Sequence, residues 1–128
     1  MQQIIGIGVD NVEISRALKA AERNHFLEKY YSEAEREIIQ QRKSCAATNF
    51  AGKEAVVKAL GTGFAGIEPK DVEILRRENG APFVRLQGGA KRIAEEKGIT
   101  GIHISLTDSR ELATAFAVCV GDETVSHK

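Results

Sequence analysis

The alternation of apolar and polar residues predicts a β-strand at the start of the chain. The run from Ile4 to Val9 is apolar and β-branched with glycines interleaved, which is typical of a strand. Successive side chains of a strand point to opposite faces, so Ile5, Ile7 and Val9 should share one face. The glycines should line the other face, and Asp10 follows on that side. The pattern therefore predicts a carboxylate directly after a strand.

A second apolar stretch, residues 50–63, predicts a buried helix that carries charges. Its sequence, FAGKEAVVKALGTG, has apolar or alanine side chains on two sides. Glu54 and Lys58 lie on one stripe a turn apart, beside small alanines that leave room for a ligand. Gly61 permits the positive φ of a helix C-cap, and the glycine turn that follows is expected to expose N–H groups suited to an anion.

Capping and turn signals predict the remaining elements. An S-x-x-E capping box at 32–35 should begin another helix. Two alternating runs flank Asn79-Gly80, which indicates a β-hairpin. Residues 88–97 have the pattern of a short amphipathic helix. Residues 101–120 contain two strands, the second apolar on both faces and therefore central or covered. The polar residues 121–128 are expected to be loose.

The order of these elements predicts a single α+β domain. Helices mixed with hairpin-linked strands favour an antiparallel sheet packed against helices, including one long central helix, over a doubly wound fold. The chain has 128 residues, 42% of them hydrophobic and 28% charged, which suits one domain covering residues 1–128. The chain is thus long enough to bury a core.

Charge and cysteine content limit the possible partners. Eighteen basic and eighteen acidic residues give a formal net charge of zero, so the total charge does not favour nucleic acid or an anionic membrane. The two cysteines show no C-x-x-C spacing and no Cys/His cluster, which indicates a reduced protein without zinc. The first residues lack a signal-peptide pattern, and no apolar run reaches membrane-spanning length. We therefore expect a cytoplasmic protein that meets anionic partners through a local patch.

One such patch is predicted in residues 11–26, which have a helical period over their central part. Arg16, Lys19 and Arg23 share one face of this helix. By itself the stripe is typical of a solvated helix surface that nearby glutamates balance.

The candidate chemistry lies in two carboxylates and one amine. Asp10 has two interpretations from local sequence, a helix cap or a metal ligand held on a rigid strand. Glu54 and Lys58 by themselves are typical of an ordinary helix ion pair. Local patterns leave these alternatives open.

Three segments considered together resemble one enzyme family. They are GIGVDNVEISR near the start, FAGKEAVVKALGTG in the middle and HISLTDSRELATAFAV near the end. In this order and spacing they resemble the holo-[acyl-carrier-protein] synthases, the small bacterial branch of the 4'-phosphopantetheinyl transferase superfamily. The resemblance covers almost the whole chain, and its middle motif, K-E-A-x-x-K-A-x-G-T-G, is specific.

The resemblance implies a fold, a reaction and an assembly. The fold would be that of the phosphopantetheinyl transferases. The reaction would move the 4'-phosphopantetheine arm of coenzyme A to a serine of apo acyl carrier protein, depend on Mg²⁺ and release adenosine 3',5'-bisphosphate, in the service of fatty acid biosynthesis. The implied assembly is a homotrimer with active sites at the subunit interfaces.

The resemblance also assigns roles to individual residues. Asp10 and Glu54 are the implied metal ligands, which agrees with the one or two carboxylates that Mg²⁺ takes beside phosphate oxygens. Glu54 and Lys58 are the implied catalytic residues, and either Glu54 or a metal-bound water is the base for the attacking serine. The implied coenzyme A contacts are Lys53, Lys58, Gly61, Thr62 and Gly63. The implied docking residues for the carrier protein are Arg16, Lys19 and Arg23.

The chain departs from the family pattern at two positions. Asn49 stands where many members have arginine, which implies that a phosphate contact of coenzyme A is weakened or shifts to Lys53 or Arg42. Asp108 stands where the third motif often has histidine, and we assign it no catalytic role.

Three other functions remain as alternatives. A Mg²⁺-dependent phosphohydrolase would use the same carboxylates with water as acceptor. A binding module would hold coenzyme A without transferring any group. A structural trimer would have Glu54 and Lys58 paired only with each other.

Overall fold

The computed structural model describes residues 2–122, whose elements follow the predicted order. These elements are β1 (Gln2–Glu13), α1 (Ile14–Ala21), α2 (Asn24–Tyr30), α3 (Glu33–Gln41), α4 (Cys45–Leu60), a 3₁₀ turn (Pro69–Asp71), β2 (Val72–Arg76), β3 (Pro82–Leu86), α5 (Gly88–Glu96), β4 (Ile99–Asp108) and β5 (Leu112–Asp122). The last strand extends two residues into the segment 121–128 that was expected to be loose. Residues 123–128 of that segment lie outside the described residues.

Three antiparallel strands form the main sheet in the order β1-β5-β4. β5 is central, as its apolar residues on both faces predicted. Along β4, Ile102, Ile104 and Leu106 pack against the core, whereas His103 and Ser105 between them are exposed. β2 and β3 form a separate antiparallel pair, which is the predicted hairpin.

The long helix α4 packs across the inner face of the main sheet and also contacts β2 and α1. Twelve of its 16 residues are buried, which makes it the central element of the fold. Gly61 ends it with a φ of 83°, as predicted. The capping box of Ser32 and Glu35 is present at the start of α3. These features confirm the predicted α+β class. No helix within residues 2–122 has both the length and the apolarity needed to span a membrane.

Two glycines bring β1 into backbone contact with α4. A Cβ on Gly6 would overlap the carbonyl oxygen of Ala59, and a Cβ on Gly8 would overlap that of Ala55. Two residues along a strand span about 6.6 Å and four residues along a helix about 6 Å, so the two repeats match. The glycines therefore set how closely the strand approaches the helix.

The predicted facing of β1 is wrong at Ile5. The pairing of β1 with β5 shifts register between Ile4 and Gly6, which is a β-bulge. Because the bulge adds one residue to the strand, Ile5 packs against the core, whereas Ile7 and Val9 are exposed on the outer face of the sheet. Strand β1 also continues through Asp10, which lies within the strand and not after it.

Candidate functional site

Asp10 and Lys58 meet where β1 crosses α4. Asp10 lies on the same face of β1 as Gly8, whose contact with Ala55 holds the strand against the helix. The Lys58 ammonium donates to Asp10 Oδ1 at 2.9 Å and to Val9 O at 3.0 Å. The Lys58 side chain is half exposed, whereas that of Asp10 is largely covered. The fold thus joins two predicted site residues that lie 48 positions apart.

Glu54, one turn before Lys58 on α4, has a tyrosine as its partner. Tyr30 Oη donates a hydrogen bond to Glu54 Oε2 at 3.1 Å. Among the ion pairs of residues 2–122, Lys58 pairs with Asp10 and Glu54 takes part in none. This geometry contradicts the alternative in which Glu54 and Lys58 pair only with each other.

The Tyr30 hydroxyl remains protonated because of its surroundings. Burial raises the pKa of Tyr30 well above its ordinary value, and the charge of Glu54 and, more weakly, that of Asp10 raise it further. The hydroxyl therefore stays a neutral donor to the Glu54 carboxylate. Sequence reasoning missed Tyr30, because only the packing of α2 on α4 brings it to a residue 24 positions away.

Aromatic packing fixes the position of this hydroxyl. The Tyr30 ring stacks on Phe26 and on Phe50, with centroid distances of 5.1 and 4.8 Å and an interplanar angle of 9° in each pair. Phe64, just after the glycine turn, lies 6.2 Å from the same ring. The four rings form an aromatic cluster that connects α2, α4 and the turn.

The donor set of this site suits Mg²⁺. Asp10 and Glu54 offer carboxylate oxygens, and residues 2–122 contain no group of three or more His, Cys, Asp or Glu arranged for a metal. Zinc sites need three or four protein ligands, whereas Mg²⁺ takes one or two carboxylates and completes its shell with water and substrate phosphate. Asp10 and Glu54 therefore fit a metal that binds together with a phosphate-bearing substrate.

The glycine turn after α4 uses its backbone donors to cap the helix. The Gly61 N–H donates to Lys58 O, and the N–H groups of Thr62 and Gly63 donate to Val57 O. The Thr62 hydroxyl donates to Gly63 O at 2.8 Å. The prediction that this turn exposes free donors to phosphate is therefore wrong, because the last carbonyls of the helix take them. The turn instead offers open space, since a Cβ on Gly63 would meet nothing within 4 Å.

Lys53 is a core residue. It is 0% exposed, and its ammonium donates to Glu35 Oε1 at 2.6 Å, Pro69 O at 2.8 Å and Val72 O at 2.6 Å. Burial raises the pKa of Glu35 and lowers that of Lys53, and the ion pair between them opposes both shifts. The prediction that Lys53 contacts coenzyme A is wrong, because its amine has three protein partners and no exposed surface.

Asn49 belongs to the same buried network. Its amide donates to Glu35 Oε2 at 3.0 Å and to Ile74 O at 2.9 Å, and its oxygen accepts from Arg76 at 2.9 Å. Asn49 is also 0% exposed. This position therefore faces the core and not a ligand. Of the alternatives for the missing phosphate contact, the shift to Lys53 is wrong, because Lys53 is buried as well.

The predicted docking residues lie around one groove of about 630 Å³. The groove is lined by Arg16, Lys19, Ala20, Glu22 and Arg23. The single helix predicted here is wrong, because α1 ends at Ala21 and Arg23 has an extended backbone before α2. The basic stripe therefore runs from α1 into the link that precedes α2. The Arg16 side chain is 82% exposed. Its ion pair with Glu13 is long, at 3.9 Å, and lies in solvent. The stripe is therefore a solvated basic surface.

Comparison with known sequences finds relatives over nearly the whole chain. The family model described as the 4'-phosphopantetheinyl transferase superfamily matches residues 6–117. The holo-[acyl-carrier-protein] synthase of Lachnoclostridium phytofermentans is 46% identical over 115 residues, which cover 90% of this chain and 94% of that protein.

Solved structures show the same fold. The acyl carrier protein synthase of Plasmodium yoelii with ADP bound superposes with a TM-score of 0.85 and 32% identity, over 96% of this chain and 99% of that one. The holo-[acyl-carrier-protein] synthase of Helicobacter pylori in complex with coenzyme A gives a TM-score of 0.79 and 30% identity, over 88% and 98% of the two chains.

Proposed function

The chain belongs to the holo-[acyl-carrier-protein] synthases of the 4'-phosphopantetheinyl transferase superfamily, and on this premise we propose how its site performs the transfer. The proposed reaction moves the 4'-phosphopantetheine arm of coenzyme A to a serine of apo acyl carrier protein. It requires Mg²⁺ and releases adenosine 3',5'-bisphosphate. The observation that carries the proposal is the ion pair of Asp10 with Lys58 where β1 crosses α4, one helical turn after Glu54 on the same helix.

The three side chains suit the breaking of a pyrophosphate bond. Mg²⁺, when bound, neutralises charge on the phosphate oxygens as the nucleotide leaves. Asp10 and Glu54 are the residues proposed to hold it. The half-exposed ammonium of Lys58 adds a positive charge that a phosphate of coenzyme A can contact. Such a site lowers the barrier through positioning and electrostatic stabilisation.

The attacking group is the serine hydroxyl of the carrier protein. It attacks the β-phosphate of coenzyme A, the bond to the nucleotide breaks, and the serine proton passes to Glu54 or to a water beside it. Tyr30 donates to Glu54 Oε2, and within residues 2–122 Oε1 has no hydrogen-bond partner, so we assign Oε1 to the metal or the proton.

The basic groove beside α1 supports an acidic protein surface as the partner. Arg16, Lys19 and Arg23 present their charges on its lining. Exposed charges of this kind steer association and set its salt dependence. α1 begins directly after β1, the strand that bears Asp10, and we propose that a carrier protein bound in this groove presents its serine to that strand.

The outer face of the main sheet supports the homotrimer that we also propose. The exposed large apolar side chains of residues 2–122 all lie on β1 and β5, and they are Ile4, Ile7, Val9, Leu112 and Phe116. Val9 pairs with Phe116 across the two strands, and Ile7 pairs with Val118, so the patch is continuous. Monomeric proteins rarely expose large apolar patches. Further copies of this chain are the proposed occupants.

Intact-mass spectrometry of the carrier protein tests the transferase proposal. The protein is incubated with coenzyme A, Mg²⁺ and an apo acyl carrier protein, and we expect the carrier to gain one phosphopantetheine arm. A chelator should abolish the gain, and Glu54→Gln should slow it about 100-fold or more, because one metal ligand is lost. Glu95→Gln, an exposed position on α5, is the matched control and should keep the wild-type rate.

Two results would contradict the proposal. If coenzyme A is consumed while the carrier stays unmodified, water is the acceptor and the phosphohydrolase alternative applies. If coenzyme A binds but neither molecule changes, the chain is a binding module.

A further inference from the structure

The structure assigns Tyr30 a positioning role at the site: we propose that its hydroxyl fixes the carboxylate of Glu54 so that Oε1 faces the metal and phosphate. The proposal deepens the function given above and rests on Glu54 as a metal ligand. Its geometric basis is the 3.1 Å hydrogen bond from Tyr30 Oη to Glu54 Oε2.

This bond is the contact that orients Glu54. In the part of the chain that the structure describes, Glu54 has no other side-chain hydrogen bond and no ion pair. Lys58, the neighbour one turn away, donates instead to Asp10 Oδ1 and Val9 O. Without Tyr30, the half-buried Glu54 side chain would be free to change its rotamer.

A tyrosine holds this carboxylate without cancelling its charge. A lysine in contact with Glu54 would neutralise it and compete with a cation, whereas a neutral hydroxyl satisfies one oxygen and leaves the negative charge in place. The ring of Tyr30 is itself fixed by its stacking on Phe26 and Phe50. The hydroxyl is thus held by a rigid cluster on one side of the carboxylate.

Partners of this kind change metal affinity. Hydrogen bonds that orient a metal-ligating carboxylate are worth about 10–100-fold in metal affinity or activity. We therefore expect Tyr30→Phe to weaken Mn²⁺ binding about 10-fold. The phenylalanine ring retains the aromatic stacking, so the change removes little more than the hydroxyl.

The first test measures the dissociation constant of Mn²⁺ by electron paramagnetic resonance with the full chain and coenzyme A. The matched control is Tyr31→Phe, which removes another buried tyrosine hydroxyl, the one that donates to Ala46 O at 2.7 Å. It should lower the melting temperature and leave the Mn²⁺ dissociation constant unchanged. Equal Mn²⁺ affinity in folded Tyr30→Phe and wild-type protein would overturn the proposal.

A double variant separates this proposal from the one on which it rests. Tyr30→Phe should have no further effect on Mn²⁺ binding in a Glu54→Gln background, because the group that it orients is gone. If Glu54→Gln itself leaves Mn²⁺ binding unchanged, the proposed metal site fails. If Glu54→Gln weakens binding and Tyr30→Phe does not, only the role of Tyr30 is wrong.

A second measurement keeps Tyr30 in place. The chain has two tyrosines and no tryptophan, so Tyr30 is the sole tyrosine in the Tyr31→Phe protein. Titration of this protein with Mg²⁺, followed by ultraviolet difference absorbance, should give a saturable tyrosine signal that disappears with Glu54→Gln. Absence of the signal at Mg²⁺ concentrations that support binding would contradict the proposal.

Discussion

At the scale of single residues, Gly8 determines how near Asp10 comes to the helix. Its Cα packs directly on the backbone of α4 at Ala55, and Asp10 follows on the same face. The length of the Lys58 side chain covers the rest of the distance to Asp10. The active geometry therefore depends on the absence of one side chain.

We predict that Gly8→Ala damages both stability and activity. The added Cβ would overlap the Ala55 carbonyl and lie 2.9 Å from Lys58 Cβ, so the strand must move away from α4. Overpacking of this kind costs about 1–3 kcal/mol in free energy of unfolding, which urea denaturation can measure. Displacement of Asp10 should lower the rate of carrier modification about 100-fold.

The matched control for this change is Gly101→Ala. There the new Cβ would meet only the Val120 side chain, at 3.3 Å, and no backbone atom within 4 Å, so a small shift of that side chain accommodates it. A fall in activity as large for Gly101→Ala as for Gly8→Ala would show that the contact of β1 with α4 is not what positions Asp10.

At the scale of elements, α4 places two adjacent charged residues, Lys53 and Glu54, in opposite environments. Successive residues of a helix point about 100° apart, so Lys53 enters the core while Glu54 faces the site. Lys53 and Asn49 bind Glu35 of α3 and carbonyls around β2, and thereby fix α4 against both elements. This buried network holds α4 in position, and none of its hydrogen bonds involves Asp10, Glu54 or Lys58.

We predict that the basic groove along α1 and the link before α2 binds the carrier protein. Arg16→Glu should raise the KM for apo carrier protein about 10-fold with little change in kcat, because a rim charge acts on association and not on the chemical step. The difference from wild type should shrink as ionic strength rises and screens both surfaces. Steady-state kinetics at several salt concentrations measure both effects.

Arg92→Glu on α5 makes the same charge reversal at an exposed position away from the groove and should leave the KM unchanged. A drop in kcat for Arg16→Glu without a rise in KM would place Arg16 in the chemistry and contradict its role in docking.

At the scale of the whole molecule, the exposed apolar face of the main sheet predicts self-association, and the family resemblance sets the expected number of copies at three. We expect wild-type protein to sediment at three times its monomer mass of 13.9 kDa. Phe116→Glu should dissociate the assembly, because a charge at the centre of an apolar interface loses its hydration without gaining a partner. Activity should fall in parallel if the sites lie at the subunit interfaces.

Analytical ultracentrifugation decides between the outcomes, with Lys91→Glu on the surface of α5 as the control that stays assembled. A monomeric wild-type protein would refute the homotrimer. A trimeric Phe116→Glu protein would show that the copies meet through another face.

Local sequence determined the elements of this protein and the residue types of its site. The capping box at Ser32, the helix end at Gly61 and the central position of β5 all follow from periodicity and from the backbone needs of helix ends. Such signals act between residues a few positions apart, so the sequence alone carries them. Local sequence also made Asp10 and Lys58 candidates, but their predicted roles came from the family resemblance of three segments and not from local signals.

Only the tertiary structure decided which polar groups face the site. Lys53, Asn49 and the N–H groups of the glycine turn all looked available in the sequence, yet each is bound internally. Tyr30 had no site signal and became the partner of Glu54. The physical reason is that a polar group taken from water must find a partner. For the glycine turn the partners are the last carbonyls of α4, whereas Asn49, Lys53 and Glu54 find partners on elements 14 to 24 positions away along the chain.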